Sequence, residues 1–118
     1  MSGIVTDFLY TAGVTQTKAV AGTVINMTDA DLLAIIQPTT GPWAGYSATS
    51  ILISCVTSGL YYAFGADPVA DGSLGHPFSV GDSLDLKNFN SLKALRFIRQ
   101  GTSSGALMIT PFFSNVGK

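Results

Sequence analysis

The sequence predicts an all-β protein: a single antiparallel β-sandwich or jelly roll of about seven or eight short strands with one short helix. Three observations lead there. Short runs rich in Val, Ile, Leu, Phe and Tyr alternate with clusters of Gly, Pro, Asn, Asp and Ser, the punctuation of an antiparallel all-β chain. Only 11% of the 118 residues are charged, where an ordinary soluble domain has roughly 25%. All seven acids are Asp, and three of them, Asp67, Asp71 and Asp82, stand beside Gly, Pro or Ser, where turns form. Ser and Thr hydroxyls take the place of charges, which suits a surface that works packed against neighbours.

Residues 4–11 are β-rich and end at Ala12-Gly13. Residues 14–26 carry Val14, Val20, Val24 and Ile25 among Thr and Ala, and predict one or two strands around Gly22. The period then changes. Thr28-Asp29-Ala30-Asp31 ahead of Leu32-Leu33-Ala34-Ile35-Ile36 has the form of a capping box, predicting a helix over 28–36 that Pro38 stops, with a strand as the alternative. Residues 39–47 form a loop holding the only Trp, Trp43. Residues 49–56 and 60–64 are strands, and the two-residue turn Ser58-Gly59 predicts that they form a hairpin. Residues 65–77 form a long loop. A turn at Val80–Ser83 leads into a short strand at 84–86 with Asp85 outward. Asn88–Ser91 is a turn. In the strand 94–99, Leu95 and Phe97 share one face, Arg96 and Ile98 the other. Gly101–Gly105 is a hairpin loop before the closing strand 106–113, whose Pro111 predicts an edge strand or a bulge.

One domain covering residues 1–118 is expected, with a core large enough to need no disulfide. The net charge of −1, with scattered positives, predicts neither a nucleic-acid partner nor a membrane surface partner. The N-terminus lacks the charged and apolar regions of a signal peptide, and no apolar run approaches the roughly 20 residues of a membrane helix. Synthesis and assembly in a cytoplasm are the expectation. Cys55, alone in the apolar run 51–56, reads as a small core residue.

Motifs that resemble catalytic signatures do not survive inspection, so no enzyme activity and no cofactor are expected. Gly101-Thr102-Ser103-Ser104-Gly105 matches G-x-S-x-G, but a nucleophile elbow needs a strand–turn–helix with a His base and an orienting acid. His76 is the only His, so the multi-His metal site of metal-dependent jelly-roll enzymes cannot be built. Asp67, Asp71, Asp82 and Asp85 fit no calcium loop and read as turn formers. Trp43 and Tyr46 flank Gly45, and read either as a lid over the end of a sandwich or as an exposed platform for sugar or partner. Tyr61-Tyr62 and Phe112-Phe113 are adjacent on strands, so one ring of each pair faces the core and the other faces solvent or a subunit contact.

The second half has a recognisable grammar. It runs from Tyr61-Tyr62-Ala63-Phe64-Gly65 through a Gly/Pro-rich loop to Val80-Gly81-Asp82-Ser83-Leu84-Asp85-Leu86. Leu95-Arg96-Phe97-Ile98-Arg99, a Gly/Ser loop and the closing strand 106–113 follow. Residues 48–113 thereby resemble small β-sandwich structural proteins of tailed bacteriophages, of the head decoration or cement type. The resemblance implies a virion protein that binds the major capsid protein, clamps neighbouring subunits and is itself a homo-oligomer, with a trimer favoured. It also implies that residues 1–11 act as an N-terminal arm anchored by Ile4, Val5, Phe8 and Tyr10. Trp43, Tyr46, Phe112 and Phe113 complete the expected interface set. The alternative is a carbohydrate- or receptor-binding module of a phage tail or fibre, with Trp43 and Tyr46 lining the site.

Overall fold

The computed structural model describes residues 10–114, and the statements below concern those residues. The strands are β1 (Tyr10–Ala12), β2 (Gln16–Val20), β3 (Ile25–Asn26), β4 (Ser50–Val56), β5 (Leu60–Phe64), β6 (His76–Phe78), β7 (Ser83–Leu86), β8 (Leu95–Arg99) and β9 (Gly105–Ser114). Two helices, α1 (Ala30–Ile36) and α2 (Phe89–Ala94), interrupt them. One sheet has the order β1-β9-β4-β7, with β2 also paired to β9; the other has the order β3-β8-β5-β6.

The antiparallel pairs nest inside one another. Strand β5 pairs with β6, β4 with β7, β3 with β8 and β2 with β9. A long hairpin with this nesting is then rolled so that β4 meets β9 and β5 meets β8. That is jelly-roll connectivity, the more specific of the two architectures expected from the sequence.

Alternation fills the core. Ile51, Ile53 and Cys55 of β4 and Leu107, Ile109 and Phe113 of β9 point inward from the first sheet. Leu60, Phe78, Leu95 and Phe97 meet them from the second. Each such side chain contributes about 1.5–3 kcal/mol by leaving water. Helix α1 closes one end with Leu32, Ile35 and Ile36, and α2 adds Leu92.

Several local expectations need correction. The predicted hairpin at Ser58-Gly59 does not exist, because β4 and β5 lie in different sheets. Residues 57–59 turn the corner between layers, and Thr57 takes φ 75° to do so. The loop 101–104 likewise carries the chain from β8 in one sheet to β9 in the other, so it is no hairpin loop either. Thr57 is β-branched and sits in the left-handed region, which costs an L-residue about 1–2 kcal/mol. Thr57→Gly is therefore expected to raise stability by about 0.5–1 kcal/mol, measured by urea unfolding, after glycine's own entropy cost is set against the relief.

The predicted helix starts later than its sequence signal. Asp29, not Thr28, is the N-cap, and its carboxylate accepts from the Asn26 N–H at 3.0 Å rather than capping the helix. Asp31, the expected capping-box partner, is taken by Lys18 at 2.6 Å, and this hydrogen bond holds its carboxyl below the usual range. A second helix replaces the predicted turn at 88–91. Asn88 caps it by accepting from the N–H groups of Asn90 at 2.9 Å and Ser91 at 3.3 Å. The long loop is shorter than expected, because His76–Phe78 forms β6 on the edge of β5.

Pro111 is not on an edge, since β9 is paired on both sides, but the register slips by one residue beside it. Between Ala12↔Phe112 and Gln16↔Ile109 the three residues 13–15 oppose the two residues 110–111, which is the bulge, the other expectation from the sequence. In an antiparallel strand one residue's N–H and C=O point to the same neighbour. The Pro111 carbonyl accepts from the Gly13 N–H at 2.7 Å, so its missing N–H faces the interval between β1 and β2, where the edge is interrupted. The neighbouring Phe112 carbonyl turns the other way, to the Thr49 N–H.

Candidate functional site: an uncharged sheet face and an apolar cleft

The outer face of the first sheet follows from the strand registers. Inward Leu107, Ile109 and Phe113 leave Ala106, Met108, Thr110 and Phe112 outward on β9. Opposite them on β4 stand Val56, Ser54, Leu52 and Ser50 in turn. Thr17 and Ala19 extend the rows on β2, and Ser83 and Asp85 extend them on β7. The result is a surface of methyls, hydroxyls, one thioether and the Phe112 ring, with one carboxylate, Asp85, opposite Leu52. Leu52 and Met108 are exposed at 37% and 42%, while Phe112 and Val56 are half-buried between neighbours. Asp85 and its ion-pair partner Lys87, 3.2 Å away, are the charges at the β7 margin.

The second sheet's outer face is covered by the chain itself. Residues 65–75 fold back over it, with Pro68 buried, and Ala63 and Ile98 are 7% and 6% exposed beneath. Gly72 and Gly75 sit against Tyr61, so that ring is roofed by its own loop rather than offered to a subunit. Arg96 and Asp67 pin the loop at 2.6 Å. The two sheets thus differ: one is covered by the chain and one is open.

At the α1 end lies a cleft of about 450 Å³. Its walls are α1 (Ala34, Ile35), the 38–43 loop, the β1–β2 connection (Gly13, Val14) and Pro111 and Phe113 of β9. Trp43 stacks on Phe113 at 5.0 Å with the rings 11° from parallel, and meets Tyr46 edge-on at 5.6 Å. Of the two sequence readings of Trp43, this geometry is the lid over an open end. Val14, at 75% exposure, is the most exposed large hydrophobic among the described residues. No lining side chain carries a charge.

The interface set expected from the sequence is dispersed by the fold. Phe113 is 2% exposed, a core residue with almost no surface for a partner. Phe112 faces out on the open sheet, as alternation requires. Trp43 is half-buried in the cleft wall, and Tyr46 is half-buried against Trp43 but outside the cleft lining. Tyr10 opens β1 opposite Ser114, while Ile4, Val5 and Phe8 lie outside the described residues. Leu52, Met108 and Val14 were missed. The first two sit at alternate positions facing away from the core, a signal the pleat alone would have supplied.

The polar candidates stay apart. Asp67 pairs with Arg96, Asp85 with Lys87, and Asp71 and Asp82 accept from the N–H groups of Ser73 and Ser79 at 2.8 Å and 2.9 Å. No three His, Cys, Asp or Glu residues group together among the described residues. Cys55 is free and buried, and burial pushes its thiol pKa up, with the Asp82 charge adding to it. His76 is exposed on β6 beside the Tyr62 ring, 5.2 Å between centroids. Arg99 donates to the Ser104 hydroxyl at 3.3 Å, and its Nε is buried without an acceptor. No helix among the described residues is long and apolar enough to cross a membrane. No protein-family model, no curated protein and no solved structure matches this chain.

Proposed function

We propose that this chain is a non-enzymatic structural subunit of a virion, a decoration or cement protein that binds the major capsid protein on an assembled head. The observation that carries the reading is the open sheet face, apolar and hydroxyl-rich, with Leu52 and Met108 exposed at its centre. A contiguous patch whose charge is confined to the Asp85–Lys87 pair at the β7 margin has the composition of an interface interior, from which charge is depleted. The jelly-roll connectivity supports the reading by fold-level analogy alone, since capsid and lectin domains both use it. Localisation to the capsid surface and a homo-oligomeric, trimeric state belong to the same proposal. The alternative, a sugar- or receptor-binding module, would use the Trp43 cleft. Gln16 and Thr40 are the only hydrogen-bonding side chains lining it apart from the Trp43 indole, which suits a sugar poorly.

The test is co-sedimentation with empty capsid shells, together with solution mass by light scattering across a dilution series. Leu52→Lys with Met108→Lys is expected to abolish co-sedimentation while leaving stability within about 0.5 kcal/mol per site, because both side chains face away from the core. Shell binding that survives the double substitution would reject this face as the contact.

A further inference from the structure

The cleft beside Trp43 is an uncharged apolar receptor whose walls are already fixed by the fold. Ile35 and Phe113 are core residues, Trp43 is held by its stack on Phe113, and the Gly13 N–H ties the β1–β2 connection to the Pro111 carbonyl at 2.7 Å. Its volume of about 450 Å³ falls in the range of sites that hold several apolar groups. The exposed Val14 stands in its wall. A charged occupant would lose its hydration there without finding an opposite charge among the lining side chains.

The chain supplies a segment of matching chemistry. Residues 1–9 precede β1 and read Met-Ser-Gly-Ile-Val-Thr-Asp-Phe-Leu, with Asp7 as the only charged side chain. The direction of β1 decides whose cleft they fit. Tyr10 lies opposite Ser114, Ala12 opposite Phe112, and Gly13 beside Pro111, so the chain runs toward the cleft from Tyr10 onward. The chain upstream of Tyr10 enters β1 two residues before Ala12 of the cleft wall and heading toward it, so to fill its own cleft it would have to reverse along β1. Nine residues span at most about 30 Å, enough to reach an adjacent subunit.

We propose that residues 4–9 of one copy seat Ile4, Val5, Phe8 and Leu9 in the Trp43 cleft of a second copy, an arm exchange that builds the homo-oligomer. The proposal deepens the structural-subunit reading and rests on it. The contact is head-to-tail, arm to cleft, and a contact of that type makes a closed ring when its rotation closes. The oligomer therefore depends on the cleft, and shell binding depends on the open sheet face.

The experiment uses the full chain in a Cys55→Ser background. One preparation carries Phe8→Cys, another Val14→Cys, and the two are mixed and oxidised; the double variant is oxidised in parallel. A covalent dimer in the mixture and an interchain ladder from the double variant are expected. Val14→Asp and Phe8→Asp are each expected to reduce the solution mass to that of a monomer with an unchanged far-ultraviolet spectrum. An intrachain disulfide in the double variant would overturn the exchange, and so would an intact oligomer in both Asp variants. If the Asp variants keep their mass while Leu52→Lys with Met108→Lys loses shell binding, the arm is rejected and the structural-subunit reading stands.

Discussion

Phe113→Ala is expected to cost about 3–5 kcal/mol, a drop in melting temperature of roughly 12–20 °C for a chain of this size. Phe113 is 2% exposed and carries Trp43 on its face at 5.0 Å. Removing the ring leaves a cavity under the 38–46 loop that the two sheets cannot collapse to fill, because β9 is held by partners on both sides. The sole Trp reports the change directly, and its emission should shift to the red as the stack is lost. Phe113→Leu keeps most of the volume and should cost less than half as much. A loss below about 1 kcal/mol for the alanine variant would contradict the assignment of Phe113 as the keystone between the Trp43 loop and the core.

Gly105→Ala should cost about 2–3 kcal/mol, although alanine usually loses less entropy on folding. A Cβ at Gly105 would land on the Ser58 carbonyl oxygen and within 2.9 Å of Leu60 Cδ2. The obstruction is backbone, so no rotamer change relieves it. Gly105 also begins β9, opposite Val20, and the next residue, Ala106, pairs with Val56, so a shift there disturbs both ladders. The same corner contains Thr57 with φ 75°. Opposite signs are therefore expected at two positions beside one carbonyl, that of Ser58, Thr57 adjacent in sequence and Gly105 adjacent in space: Thr57→Gly stabilises and Gly105→Ala destabilises. Denaturant midpoints at constant slope would establish both. A Gly105→Ala protein as stable as the parent would mean that the two corners do not touch.

Alternation along the strands was legible in the sequence because the pleat imposes it. Asp85 outward, Leu95 and Phe97 on one shared face, and one buried ring in the Phe112-Phe113 pair all follow from a period of two, while the identity of Phe113 as the buried ring comes from the fold. Which sheet a strand joins leaves no such mark. Ser58-Gly59 has the length of a hairpin turn, but the chain there changes layers, and only the partners of β4 and β5 reveal it. β6 was hidden by Pro77, and α2 is too short for a helical period to register. Pro111 was read from its residue type alone, whereas its tolerance depends on Gly13, which is distant in sequence. The candidate site was half legible. Trp43 and Tyr46 marked the loop, but the open sheet face appears only once β4, β9 and β2 are placed side by side.

The nesting of the strand pairs has a consequence for how the protein comes into being. A ribosome makes the chain from its N-terminus, and β9 is the last of the described strands to emerge. Yet β9 is the one that β1, β2 and β4 all wait for. Until residue 105 has emerged, none of those three has its β9 ladder, and Ile51 and Ile53 have no closed sheet around them. A nascent chain in that interval resembles an open edge strand, the species most given to pairing with the wrong copy. Delaying the emergence of residues 105–114 relative to β4 should lengthen that interval and raise the aggregated fraction.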